Sequence, residues 1–142
     1  MEALLFEAAG RSCAAPLDDL NEVMMMVALH PLATPGMAGA MVLRGALLPV
    51  VALRDRLLAL GLGQSDRVQG WPHSARILRC TTATGQSLGI AVDRVVGIVE
   101  LEEANRRPTP ERTVPFLGDL WLQDGVLVQE LRLAVLSPEG TL

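Results

Sequence analysis

An all-β protein of two lobes, barrel or sandwich, is what this sequence predicts, and three observations carry that reading. Apolar runs of strand length recur along the chain, turn dipeptides punctuate them, and only two brief stretches carry helical signals. Half of the 142 residues are hydrophobic and the mean hydropathy is +0.34, yet aromatic residues supply only 3%. Such a core is built from Leu, Val, Ala, Ile and Met. The length is enough to bury one.

In chain order, ALLFEAAGRSCAAPL predicts two strands joined at Ala9-Gly10-Arg11. LDDLNEV, 17–23, places aspartates where a short helix would want them. VMMMVAL, 23–29, reads as a strand or an irregular apolar segment; on a strand, Met24 and Met26 share one face and Met25 takes the other. HPLATPGMAG, 30–39, is a loop, and AMVLRGALLPVVAL gives two strands broken at Arg44-Gly45. Pro49 lacks a backbone donor and is therefore expected at an edge or bulge. LRDRLLALGLG, 53–63, is a short amphipathic helix, with Leu53, Leu57, Leu58 and Leu60 opposite Arg54, Asp55 and Arg56.

Residues 63–74, GQSDRVQGWPHS, form the clearest linker and divide the chain into lobes of about 60–70 residues, too small to stand without a shared core. Beyond it, ARILRCTTA and QSLGIAVDRVVGIVEL flank a turn at Thr84-Gly85. EEANRRPTPERTVP, 102–115, is a polar loop. LGDLWLQDGVLVQEL, 117–131, is a hairpin turning at Asp124-Gly125, the strongest such signal in the chain. RLAVLSPEGTL continues as a strand or short helix and then frays.

Composition excludes several functions. The longest apolar run has seven residues, far short of the roughly 18 a membrane span needs. MEALLFEAAGR has an acidic residue at position 2 and no basic run, so a cytoplasmic protein without a secretory signal is expected. Net charge is −4, and the 12 basic residues, all arginine, are scattered except for Arg106-Arg107. Without a basic stripe, nucleic-acid binding is disfavoured. Cys13 and Cys80 are expected to be reduced and structural.

Catalytic chemistry finds no support. His30, His73, Cys13 and Cys80 lack the spacing of a metal site. No G-x-S-x-G or phosphate loop occurs, and the pairs Asp18-Asp19 and Glu102-Glu103 read as helix-start and loop charges. No cofactor is implied. A ligand-binding barrel or enzyme subunit would need a polar pocket with convergent ionisable groups, which the sequence does not offer.

Four stretches in order resemble the CheW-like chemotaxis coupling protein family: APLDDLNEV, LRGALLPVVAL, GIAVDRVVGIVEL and FLGDLWLQDGVLVQEL. The likeness covers about residues 3–136 and treats 1–142 as a single CheW-like domain. It implies two five-stranded SH3-like β-barrel lobes sharing a core, with short helices. The implied function is a non-catalytic adaptor coupling the cytoplasmic tip of a chemoreceptor to the regulatory domain of a CheA-type histidine kinase, in the cytoplasm at membrane receptor arrays. No membrane insertion is implied.

The family's Arg of the Arg-Gly motif and its acidic partner fall on Arg44 and Glu22, expected as a mostly shielded pair. Its apolar receptor groove falls on Leu20, Val23, Met25, Arg44 and Val92. The chain departs from the family pattern at Ala52 and Val42, which replace an aspartate and an asparagine, and at Gln129-Glu130-Leu131-Arg132, which replaces an aspartate-rich end. These leave a second reading open: a divergent paralogue that binds receptors but not kinase, serving surface sensing, twitching or another non-flagellar output.

Overall fold

The dipeptide turns set the architecture. In the computed structural model, which describes residues 1–64, 70–109 and 114–136, Ala9-Gly10, Arg44-Gly45 and Asp124-Gly125 all have both φ angles positive. That is the backbone of two-residue turns whose twist matches the flanking strands. They join β1 (Glu2–Ala8) to β2 (Arg11–Pro16), β4 (Met37–Leu43) to β5 (Ala46–Ala52), and β10 (Leu117–Gln123) to β11 (Val126–Leu131). The other strands are β3 (Leu20–Met25), β6 (Arg76–Thr81), β7 (Ser87–Val92), β8 (Arg94–Glu100) and the two-residue β9 (Arg106–Arg107).

Two sheets result. The first has the order β8-β1-β2-β11-β10-β9 and the second β3-β6-β7-β5-β4. Neighbours are antiparallel except β11 with β2 and β5 with β7. The chain passes from the first sheet to the second after Pro16 and returns at Asp93. The run 86–101, taken whole as one flank of the Thr84-Gly85 turn, is therefore two strands in different sheets. Asp93 fixes the crossing: its N–H donates to the Glu7 carbonyl at 2.9 Å, and its carboxylate accepts from Ala9 N–H at 3.0 Å.

Both sheets contribute buried residues from both faces. The largest cluster lies between them and draws Leu4, Phe6, Cys13 and Ala15 from the first sheet and Val51, Leu78, Cys80, Ile90 and Val92 from the second. The helix α1 (Leu53–Ala59) closes it with Leu53 and Leu57. On the other face of the first sheet, Ala3, Ala14, Leu101, Trp121 and Val128 pack together. On the other face of the second, Val50, Ile77 and Ala91 pack with Met24, Met26 and Met41. Met24 and Met26 thus share a face, while Met25 is 65% exposed on the opposite one.

Several expectations are corrected. LDDLNEV gives only a single 3-10 turn at Leu17–Asp19, then becomes β3, whose edge register continues the second sheet. The stretch 63–74 does not divide the lobes: β5 precedes it and β6 follows it in one sheet, and residues 65–69 lie outside those described. Pro49 sits in interior β5, not at an edge. Its missing donor is tolerated because the pairing with β7 begins at Val50. Arg56, assigned to the polar side of the helix, is buried, since positions 53, 56 and 57 share a helical face.

Candidate functional site

The Arg44-Gly45 turn carries the first candidate residue. With φ of 50° and 80°, these two residues form the tip of the β4–β5 hairpin, which holds the Arg44 side chain out from the edge of the second sheet. Glu22 lies on β3, the opposite edge of the same sheet. Four interstrand steps would separate flat edges by ~19 Å. Yet Arg44 Nη1 and Nη2 donate to Glu22 Oε1 and Oε2 at 3.0 and 3.1 Å, a bidentate pair. The sheet is curled enough for its two edges to meet there.

A second contact draws the edges together. The His30 and Ala40 backbones exchange hydrogen bonds of 2.8 and 2.9 Å, tying the chain after β3 to β4. Gly39 makes room for this, because a Cβ there would lie 2.5 Å from the His30 carbonyl oxygen.

Glu22 serves a second guanidinium. Arg79 stands directly opposite it on β6 and donates through Nε to Oε1 at 2.6 Å. A bulge in β3 between Leu20 and Glu22 produces this pairing. Leu20 lies opposite Cys80 on the core face, so strict alternation without the bulge would turn Glu22 inward as well. Arg44 first, then Arg79, holds the Glu22 carboxyl down at about 2. Glu22 in turn raises the Arg44 guanidinium above its ordinary value. The expected shielding holds for one partner only: the Glu22 side chain is 27% exposed, whereas that of Arg44, at the tip of its turn, is 66% exposed.

The six expected residues divide three ways. Glu22 and Arg44 meet. Val23 (45% exposed) and Met25 lie on the opposite face of β3, with Val27 exposed just beyond. Leu20 is half-buried against the central cluster and Val92 wholly buried within it, so Val92 lines no surface: it pairs with Arg76 in the interior strand β7. Arg79 was missed because only the bulged register shows that it faces Glu22.

A family model described as CheW-like domain matches residues 2–139. The chain belongs to that family. No curated protein sequence gives a significant match. Among solved structures, the fold is similar to that of the scaffolding protein TtCheW from Thermoanaerobacter tengcongensis. The TM-score is 0.74 at 23% identity, over 92% of this chain and 88% of that one.

The positions where this CheW-like chain departs from the family pattern have local roles. Ala52 is the N-cap of α1 and supplies no side-chain cap. Val42 is 61% exposed opposite Leu47, itself 67% exposed, near the Arg44 turn. Gln129 Nε2 donates to the Gly118 carbonyl at 3.0 Å, and Glu130 accepts from Trp121 Nε1 at 2.9 Å. Arg132 Nε donates to Asp19 at 3.2 Å. Among the described residues, no group of His, Cys, Asp and Glu stands in a metal-holding arrangement, and no helix is long and apolar enough to cross a membrane.

Proposed function

We propose that this chain is a non-catalytic adaptor that joins the cytoplasmic tip of a chemoreceptor to the regulatory domain of a CheA-type histidine kinase. Its place is then the cytoplasm, at membrane receptor arrays. Membership of the CheW-like family supports the general role, and the Glu22–Arg44 pair is the observation that carries the specific one. The pair fixes β3 at the surface, and β3 presents Val23 and Met25 outward. A helical receptor hairpin would lay an apolar stripe on those two side chains. Leu20 anchors that strand to the central cluster, of which Val92 is a buried member.

Binding of the purified chain to a receptor-tip fragment and to the kinase regulatory domain tests the reading. Arg44→Ala is expected to weaken receptor binding by roughly 10-fold while leaving the fold intact, the scale of a lost charge-assisted pair. Binding to neither partner would refute the proposal. The exposed Val42–Leu47 pair, where the family pattern has asparagine at position 42, favours a second reading. In it the chain is a divergent paralogue that binds receptor but not kinase, and binding to the receptor fragment alone would select it.

A further inference from the structure

Two guanidiniums on one carboxylate are not equivalent here. Arg79 lies within the sheet on β6, and its side chain is 22% exposed. Besides Glu22, it reaches the Ser87 hydroxyl on neighbouring β7 through Nη1 at 3.4 Å. Its bond to Glu22 is the shortest of the three, between residues directly opposite across a ladder. Arg44 reaches Glu22 from the far edge of the sheet, from a two-residue turn, with its side chain two-thirds exposed. Oε1 takes a bond from each arginine, and Oε2 takes one from Arg44 alone.

We infer that Arg79 is the positioning residue of this seam: it fixes the Glu22 carboxylate on β3, and Arg44 is the arm that attaches and detaches. The physical reason is the asymmetry of what each loss leaves behind. When Arg44 lets go, Glu22 keeps a charged partner in the same geometry, so no lone carboxylate opposes the release. When Arg79 is removed, Glu22 is held only by a side chain that itself hangs from a turn. The bidentate pair then has no fixed side, and both of its members wander. The inference concerns the chain alone and needs no partner, so it stands or falls separately from the adaptor reading.

The test follows side-chain motion and titration by NMR in the full chain. In Arg79→Gln, rotation of the Arg44 guanidinium about Nε–Cζ is expected to speed up several-fold, because its acceptor is no longer held. In Arg44→Ala, the Arg79 Nε–H is expected to keep its wild-type protection. The Glu22 carboxyl, at about 2 in the intact cluster, is expected to stay at least ~1 unit below the ordinary glutamate value in Arg44→Ala. It should return to that value only in the double variant. Arg79→Lys separates charge from geometry: it supplies a cation without the directed Nε donor, and it is expected to keep the Glu22 carboxyl low without restoring the slow rotation of Arg44. A purely structural Arg79 would lower stability and leave Arg44 motion unchanged. That result would overturn the inference, as would a Glu22 carboxyl that returns to its ordinary value on removing Arg44 alone.

Discussion

In the first sheet one guanidinium serves two carboxylates; in the second, one carboxylate serves two guanidiniums. Arg106, on the short edge strand β9, donates to Asp119 at 2.6 Å and to Glu103 at 2.9 Å. Asp119 is almost wholly buried and also accepts from Thr109 N–H at 3.2 Å. These residues lie within 16 positions of one another, on β9, on β10, in the turn before β9 and just beyond β9. The Glu22 cluster instead joins residues up to 57 positions apart and stays at the surface. Burial makes the first a fixture of the fold, because its acid cannot be left alone. Exposure makes the second cheap to open.

The largest expected effect lies in the buried cluster. Asp119→Ala should cost roughly 2–3 kcal/mol in urea unfolding, since it strands the Arg106 and Thr109 donors. Next comes Gly118→Ala beside it, where an added Cβ would collide with the Glu130 carboxylate that accepts from Trp121. Overpacking there should cost about 1–2 kcal/mol. Arg44→Ala should leave global stability close to that of the intact chain, as removal of exposed ion pairs generally does. Equal losses for Asp119→Ala and Arg44→Ala would break the contrast.

Acid sharpens it further. Glu22 titrates at about 2 when folded and near ~4.3 when unfolded, so its contribution is complete above the unfolded value and fades as pH falls toward 2. Glu22→Gln should therefore flatten the stability curve between those limits, as followed by unfolding at stepped pH. The smallest effect concerns the thiols. Burial pushes both Cys13 and Cys80 up to about 12, so native protein should resist alkylation at neutral pH until it unfolds.

Much of this was legible in the sequence where the signal is local. Ala9-Gly10, Arg44-Gly45 and Asp124-Gly125 announce their turns because few residue pairs accept two positive φ angles. The methionine run at 24–26 announced its two faces by alternation alone. The Glu22–Arg44 pair came from resemblance, not from spacing. What escaped depends on register: the bulge that aligns Glu22 with Arg79, and the split at Asp93. Both arise from the partner strands, which a local window does not contain. Arg56 escaped for another reason: its charge outweighed its position, though it lies three residues from Leu53 on the buried face of the helix.

The crossings at Pro16 and Asp93 also govern the order in which the molecule comes together. The second sheet is one uninterrupted stretch from β3 to β7, whereas the first must pair β1 with β8 and β2 with β11 across all of it. Ring closure over so long a span is the slow event in assembly. Pulse-labelled amide exchange during refolding is therefore expected to protect Ile77 and Ile90 before Leu4 and Val99. That order would make the second sheet the template on which the first is completed.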